Sequence, residues 1–273
     1  MSDPRPIGVF DSGVGGLTVL KALLHELPGE PFVYLGDTAR LPYGTKSPNT
    51  VQRYALQAAE ALAGCGIDCL VVACNTASAV SLPAVRARLA PVPVFGVIEP
   101  GAQAACAASP SGRIAVIATE GTVRGGAYQQ AILARRPSAT VHALPAPLFV
   151  ALAEEGLAEG PIAEAVAHHY LDGLFVARAG CEAADTLVLG CTHFPMLLGA
   201  IRAAVGPAVR IVDSAETTAR HVRAAREAAG QSAHTRAGTL RLLATDAPER
   251  FARIGARFLE RPIAPGEVEL IDL

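Results

Sequence analysis

The chain has 273 residues, of which 51% are hydrophobic and 18% are charged. This length allows one large domain or two of ordinary size, and this composition excludes a disordered chain. The net charge is −2, so the basic excess typical of nucleic-acid-binding proteins is missing and we expect no nucleic-acid partner.

Short apolar runs rich in β-branched residues alternate along the chain with longer, alanine-rich segments of helical period. This alternation is typical of βαβ units and a parallel sheet, so the predicted fold class is α/β. The predicted strands, in chain order, are Ile7–Phe10, Phe32–Leu35, Cys69–Ala73, Val92–Val97, Ile114–Ala118, Val141–Leu144, Thr186–Leu189 and Val209–Val212.

Two of the helices between these strands have clear boundary signals. The leucines of Leu17–Leu27 recur at the spacing of a helix that buries one face, and Pro28 and Gly29 end this run. Ser47 and Pro48 supply a capping hydroxyl and a first-turn proline, which predicts a helix over Asn49–Ala63.

Two pairs of similar segments occur in the same order in the two halves of the chain. Residues 7–13 (IGVFDSG) resemble residues 114–121 (IAVIATEG), and residues 68–76 (DCLVVACNT) resemble residues 185–193 (DTLVLGCTH). This pattern indicates a duplicated α/β half. It predicts two similar domains with mainly parallel sheets, related by a pseudo-twofold axis, with a cleft between them.

In the second pair of segments, each strand is followed by a cysteine, Cys74 in one half and Cys191 in the other. Ligands of open parallel sheets bind outside the carboxyl ends of the strands. Two halves that face one another would therefore project the two thiols into one cleft from opposite sides. Such a pair can invert a carbon acid, because one thiolate removes the proton from one face while the other thiol donates a proton to the opposite face.

Each thiol needs a partner for its proton, because free cysteine has a pKa of about 8.5 and is mostly protonated at neutral pH. His193 lies two residues after Cys191, and Asp11 ends the strand beside the one that precedes Cys74. Both are candidate general bases, although Asp11 could also cap the following helix. The glycines of residues 13–16 would let the backbone approach an anionic ligand.

The remaining cysteines, Cys65, Cys69, Cys106 and Cys181, lack a matching cysteine with polar neighbours and are interpreted as packing thiols. The spacing of the chain's cysteines is not that of a paired zinc-binding framework. We therefore expect no metal. Lysine occurs only at Lys21 and Lys46. Pyridoxal phosphate requires a Schiff-base lysine; Lys21 lies in a helical run, and only Lys46, in a polar loop, remains open for that role.

The apolar runs are too short for a membrane span, and the first residues lack the pattern of a signal peptide. Six cysteines in a chain of this length are better interpreted as free thiols of a reducing compartment than as disulfides. We expect a cytoplasmic protein without a membrane partner.

The chain resembles the cofactor-independent aspartate/glutamate racemase family, and within it the glutamate racemases. The similarity is colinear and covers almost the whole chain. It rests on the segments Ile7–Thr18, Gly36–Gly44, Ala73–Ser78, Gly96–Pro100, Leu189–Pro195, Asp246–Phe251 and Ile271–Leu273.

This resemblance implies a first α/β domain of residues 1–97 plus 210–273, a second of residues 98–209, and an active site between them. It implies that Cys74 and Cys191 are the acid/base residues, that Asp11 assists Cys74, and that His193 assists Cys191. Of two neighbouring acids, Glu154 and Glu155, we align Glu154 with a third assisting residue of the family. The substrate-binding residues that we predict are Asp11, Ser12, Pro42, Tyr43, Gly44, Asn75, Thr76, Thr119, Thr122, Thr192 and His193.

The implied activity is the interconversion of L- and D-glutamate without a cofactor, which supplies D-glutamate for peptidoglycan in the bacterial cytoplasm. A homodimer is the default expectation for the assembly. Three alternatives stay open: a racemase of aspartate or a related amino acid with the same two thiols, a protein that binds an acidic metabolite without chemistry, and a redox sensor that forms a Cys74–Cys191 disulfide.

Overall fold

The computed structural model describes residues 4–175, 183–231 and 238–273, and within these ranges it contains ten β-strands and eleven α-helices. The strands are β1 Ile7–Asp11, β2 Phe32–Gly36, β3 Cys69–Val72, β4 Val94–Gly96, β5 Arg113–Ala118, β6 Thr140–Pro145, β7 Thr186–Gly190, β8 Arg210–Asp213, β9 Leu240–Ala244 and β10 Val268–Leu270. The helices are α1 Leu17–Glu26, α2 Pro48–Gly64, α3 Asn75–Leu89, α4 Ile98–Ala108, α5 Glu120–Gly125, α6 Ala127–Arg135, α7 Pro147–Glu155, α8 Pro161–Phe175, α9 Leu198–Val205, α10 Ser214–Ala228 and α11 Pro248–Leu259. Cys181 lies outside the described residues.

The strands form two sheets in which every pairing is parallel, which confirms the α/β class. The six-stranded sheet has the order β10-β9-β2-β1-β3-β4, and the four-stranded sheet has the order β6-β5-β7-β8. The order β2-β1-β3-β4 therefore recurs as β6-β5-β7-β8. In this correspondence β1 matches β5 and β3 matches β7, as the two pairs of similar segments predict.

All eight predicted strands are present, with ends that differ from the prediction by two residues at most. Strands β9 and β10 were not predicted. Strand β10 has only three residues and lies at the sheet edge, where Glu269 and Leu270 are exposed. A short edge strand of this kind carries little of the apolar alternation by which a strand is predicted.

Strand β8 corrects the predicted division of the chain. Residues 210–213 were assigned to the first domain, but β8 pairs with β7 in the four-stranded sheet. The predicted boundary came from the resemblance to the family, whereas the sheet that a strand joins depends on its hydrogen-bonding partner. We propose that the chain crosses between the domains after β8, where α10 begins.

Each sheet is covered on both faces, because successive residues of a strand point to opposite layers. In β1, Val9 belongs to a buried cluster that contains residues of both sheets, such as Ile117 and Leu189. The next residue, Phe10, packs on the other face, in a cluster with residues of α2 and α3. The shared cluster joins the two sheets and fixes the position of one relative to the other.

A buried ion cluster anchors the end of α10 near the six-stranded sheet. Arg226 is 7% exposed and donates hydrogen bonds to Glu30 Oε2 at 2.8 Å and to Asp68 Oδ2 at 2.7 Å. Removing one partner of a buried ion pair costs more than the pair itself contributes, because the other charge stays buried.

We therefore expect Arg226→Met to lower the free energy of unfolding by about 3–5 kcal/mol, measured by urea denaturation. The control is Arg223→Met on the same helix. Arg223 forms a more exposed ion pair with Glu26, at 3.3 Å, and its loss should cost about 1 kcal/mol or less. Equal losses in the two variants would contradict a special role for the buried cluster.

No helix in the described parts of the chain combines the length and the apolar composition needed to cross a membrane.

Candidate active site

Cys74 lies where β3 gives way to α3, at the carboxyl edge of the six-stranded sheet. It is the N-cap residue of α3, and its Sγ accepts the amide hydrogen of Ala77 at 3.5 Å. Ser12 Oγ, from the segment after β1, lies 3.5 Å from the same sulfur. Burial, with a smaller contribution from the Asp11 carboxylate, raises the pKa of Cys74 to about 12. The resting thiol is therefore neutral and can act as a proton donor.

Cys191 occupies the matching position after β7, and a chain of two further residues lies behind it. His193 Nδ1 is 3.8 Å from Cys191 Sγ, and His193 Nε2 is 3.1 Å from Glu154 Oε1. Burial opposes protonation of His193, but its contacts with Cys191 and Glu154 outweigh this and raise the pKa of His193 to about 10. His193 is thus an imidazolium at neutral pH. Of the two neighbouring acids, Glu154 contacts His193, whereas Glu155 is exposed.

The two thiols therefore have different surroundings. Cys74 has a neutral hydroxyl and a backbone amide beside it, whereas Cys191 has an imidazolium that can donate a hydrogen bond to a thiolate. A two-base reaction needs one proton donor and one proton acceptor at the start of each turnover. In this site, the neutral Cys74 thiol can be the proton donor, and the imidazolium beside Cys191 can stabilise a thiolate that acts as the acceptor.

Asp11 ends β1 beneath the cavity and does not line it. Its Oδ2 accepts the amide hydrogen of Gly13 at 2.9 Å, while its Oδ1 is buried and has no hydrogen-bond partner among the described residues. Burial raises the pKa of Asp11. A carboxylate with a raised pKa and an unused oxygen has the properties of a proton carrier.

Two glycines of the predicted anion-binding segment make room for side chains of the site. A Cβ on Gly15 would stand 2.4 Å from the His193 ring and from Thr192 Oγ1, and a Cβ on Gly16 would stand 2.4 Å from Asp11 Cβ. At both positions glycine permits an approach that any other residue would prevent. The segment therefore brings His193 of the second half close to the backbone of the first half and leaves room for the Asp11 side chain.

Both thiols line one cavity of about 310 Å³ between the two sheets. The predicted residues that line it are Ser12, Pro42, Tyr43, Gly44, Cys74, Asn75, Thr76, Thr119, Glu154, Cys191, Thr192 and His193. The prediction missed further lining residues, namely Leu41, Thr45, Glu120, Pro147, Val150 and Ala151. Those of α7 follow strand β6, so the rule that sites lie beyond the carboxyl ends of strands could have identified them.

Three threonine hydroxyls form a triangle at one wall of the cavity. Thr76 Oγ1 is 2.9 Å from Thr119 Oγ1 and 3.2 Å from Thr122 Oγ1, and the last two are 3.0 Å apart. Thr122 does not line the cavity but lies behind the other two. Thr76 belongs to α3 in the first half, whereas Thr119 and Thr122 belong to the start of α5 in the second, so the triangle also links the halves.

Asn75 presents an unused donor at the base of the cavity. Its Oδ1 accepts the Tyr128 hydroxyl at 2.8 Å, which fixes the orientation of the amide. Its Nδ2 is buried and has no partner within the described parts of the chain. Buried polar atoms of native proteins are seldom unpaired, so this amide group is a candidate ligand contact.

The Tyr43 hydroxyl is not available to a ligand, because it donates to the fully buried carboxylate of Asp37. Burial raises the pKa of Tyr43, so this hydroxyl stays protonated. Tyr43 therefore contributes its ring and backbone to the wall, and its contact with Asp37 holds the loop that carries Gly44.

No Lys or Arg is found among the described residues that line the cavity, whose ionisable acids and bases other than the thiols and Tyr43 are Glu120, Glu154 and His193. An anion in this cavity would be held by hydroxyl, amide and backbone groups. Within the described ranges, no three His, Cys, Asp or Glu side chains form a group that could hold a metal ion.

Comparison with known proteins gives one consistent result. A model of the Asp/Glu/hydantoin racemase family matches residues 7–222. A glutamate racemase of Geobacter metallireducens is 50% identical over 256 residues, which cover 93% of this chain and 93% of that protein. The structure of the Francisella tularensis glutamate racemase in complex with D-glutamate is 34% identical, with a TM-score of 0.89 over 99% of this chain and 98% of that one. The Bacillus anthracis glutamate racemase isoform RacE1 is 35% identical, with a TM-score of 0.91 over 98% of each chain.

Proposed function

The chain belongs to the Asp/Glu/hydantoin racemase family, and we propose that it interconverts L- and D-glutamate by moving the α-proton between the substrate and the thiols of Cys74 and Cys191. The observation that carries this proposal is the pair of strand-end thiols in one cavity, with the Ser12 hydroxyl beside Cys74 and the His193 ring beside Cys191. Both thiols are cysteine side chains of the chain itself, so the reaction needs no cofactor.

In the forward step, the Cys191 thiolate removes the α-proton and the C–H electron pair remains on the α-carbon as a carbanion. The Cys74 thiol then donates its proton to the opposite face, so that Cys74 ends as the thiolate and Cys191 as the thiol. The resemblance to the family assigns Cys191 to L-glutamate and Cys74 to D-glutamate. The neutral Cys74 thiol and the imidazolium beside Cys191 support a resting state that is ready for L-glutamate.

Each thiol can renew its proton through the groups behind it. On the Cys191 side these are His193 and Glu154, which are joined to one another at 3.1 Å. On the Cys74 side we assign this role to Asp11, whose pKa is raised by burial and whose Oδ1 has no partner among the described residues. Burial of both thiols at the cavity wall limits the access of bulk water to the carbanion.

The substrate carboxylates are held, in this proposal, by neutral donors. Candidates are the Thr76–Thr119 hydroxyl pair, the free amide hydrogens of Asn75, and the backbone around Gly44. Donors fixed in advance stabilise charge that develops on the α-carboxylate as the carbanion forms, and they need no reorganisation during the reaction.

The direct test is incubation with L-glutamate in deuterated water without pyridoxal phosphate, followed by circular dichroism and by the α-deuterium content of the product. Racemisation with one deuterium at the α-carbon supports the proposal. L-aspartate, which is shorter than L-glutamate by one methylene group, serves as the comparison substrate. Faster turnover of aspartate would favour the alternative racemase, binding without turnover would favour a binding protein, and a reversible Cys74–Cys191 disulfide without turnover would favour a redox sensor.

Thr119→Val is expected to raise the KM for glutamate by about 10- to 100-fold, because a hydrogen bond to a charged group is lost while the side chain keeps its shape. We expect a much smaller change in kcat, since Thr119 is not a proton partner of either thiol. Thr119→Ser keeps the hydroxyl and is the control. An unchanged KM for Thr119→Val would show that the threonine triangle does not bind the substrate.

We also propose that the protein works in the bacterial cytoplasm, where its product enters peptidoglycan. The five described cysteines are free thiols, which supports a reducing compartment. The homodimer remains a prediction, which light scattering after size-exclusion chromatography would test.

A further inference from the structure

Two arginines of α11 reach across the boundary between the two sheets and bind one residue, Glu154. Helix α11 joins β9 to β10 of the six-stranded sheet, whereas Glu154 lies in α7, which follows β6 of the four-stranded sheet. Arg250 and Arg257 are seven residues apart, close to two helical turns, so they lie on one face of α11.

The two arginines bind different parts of Glu154. Arg250 Nη2 lies 3.3 Å from Glu154 Oε2, and Arg257 Nη2 donates to the backbone oxygen of Glu154. The other carboxylate oxygen, Oε1, is the one that contacts His193 at 3.1 Å. Arg250 and His193 thus hold the carboxylate from its two sides.

Arg257 binds at the C-terminal end of α7, where backbone carbonyls lack helical partners and attract cations. Gly156, which follows α7, has a φ of +77°, and a Cβ there would stand 2.1 Å from Arg257 Nη1. The glycine thus leaves room for the guanidinium to lie across the helix end. This contact fixes the backbone of Glu154, while Arg250 fixes its carboxylate.

The exposure of Arg250 favours a role in positioning Glu154 over a role in stabilising the fold. Its side chain is 55% exposed, whereas those of Glu154 and His193 are 18% and 9% exposed. An ion pair with so exposed a partner adds little to stability. Its partner, however, directly contacts the histidine beside Cys191.

We propose that Arg250 and Arg257 are positioning residues that hold Glu154 against His193, so that the Cys191 side of the site is complete only when the six-stranded and four-stranded halves are closed on one another. This inference rests on the proposed function. It adds to it a contribution from the C-terminal helix, which lies outside the cavity lining.

The test compares Arg250→Ala with Arg253→Ala, because Arg253 is exposed on the same helix and makes no hydrogen bond or ion pair with the described residues. We expect kcat/KM of Arg250→Ala to fall about tenfold through the loss of a charge-assisted hydrogen bond. Arg250→Lys should recover part of this loss, and Arg253→Ala should match the wild type. Urea denaturation midpoints of the Arg250 and Arg253 variants should stay close to that of the wild type.

The pH profile distinguishes positioning from a simple charge effect. His193 faces Cys191, Asp11 and Glu154, with Arg250 beyond Glu154. If Arg250 positions Glu154, its removal weakens the Glu154–His193 contact, and the basic limb of kcat/KM moves to lower pH. If Arg250 acted only as a nearby positive charge, its removal would favour the imidazolium and the limb would move to higher pH, which would overturn the proposal.

A double-mutant cycle gives an independent test, since residues that act through a common partner have non-additive effects. In a Glu154→Gln background, Arg250→Ala should cause no further loss of kcat/KM. An equal tenfold loss in that background, or an Arg250→Ala enzyme indistinguishable from Arg253→Ala, would refute the role of Arg250. Arg257→Gln should also lower kcat/KM; if that variant does not fold, the Arg250 series decides. A wild-type protein that does not racemise glutamate would instead refute the proposed function.

Discussion

Replacing either Cys74 or Cys191 by serine is expected to lower kcat/KM for glutamate racemisation by about 10³-fold. Serine nearly matches cysteine in size, so the cavity that both residues line should keep its shape. A hydroxyl, however, loses its proton far less readily than a thiol, and neither an imidazolium nor a carboxylate neighbour compensates for that difference. The two variants should therefore fail at the proton transfer rather than at binding.

The two serine variants should also differ from one another in isotope exchange. Cys74→Ser retains Cys191, which can still remove and return a proton on one face, and deuterium enters when the thiol first exchanges with solvent. We expect Cys74→Ser to deuterate L-glutamate faster than it inverts it, and Cys191→Ser to do the same with D-glutamate. Nuclear magnetic resonance of the recovered enantiomers measures both rates.

Cys65→Ser is the control for these variants, because Cys65 is partly buried and lies outside the cavity lining. It should leave the rates unchanged. Full racemase activity in Cys74→Ser or Cys191→Ser would reject the two-thiol mechanism. Exchange of the same enantiomer by both variants would show that the thiols do not act on opposite faces.

His193→Asn is expected to lower kcat by about 10²-fold and to alter the pH profile. The pKa of His193 is raised to about 10, from an ordinary value of 6.5. The imidazolium therefore persists in the folded protein up to about pH 10, and wild-type kcat/KM should fall as the pH rises through that value. Asparagine cannot titrate, so this basic limb should be missing from the variant.

The same shift links His193 to stability. A histidine whose pKa is raised by folding stabilises the folded state fully below its unfolded pKa, and this contribution is lost as the pH rises through the folded pKa. The difference in unfolding free energy between wild type and His193→Asn should therefore shrink between about pH 6.5 and about pH 10.

For the kinetic prediction, a His193→Asn variant with the wild-type pH–rate profile would show that another group is responsible for the basic limb.

The outline of the site follows from local sequence patterns. Strands such as β3 and β7 are predicted from their short apolar runs, and a parallel sheet places the residues after such runs at one edge. Cys74 and Cys191 could therefore be assigned to one site before any contact was known. The short strand β10 and the sheet partner of β8 could not be predicted, because edge position and strand pairing leave no local periodicity.

The α/β class, the two strand-end cysteines and the placement of His193 beside Cys191 follow from residues only a few positions apart, and the duplicated strand order follows from the similarity between the two halves of the chain. The tertiary structure alone decided that Glu154 rather than Glu155 contacts His193, that Thr76 meets Thr119, and that Arg250 reaches Glu154. Two of these contacts join helical segments that belong to different halves of the molecule, and the third depends on how α7 is rotated against its neighbours. Such contacts arise from the packing of elements that are distant along the chain, and no local period encodes them.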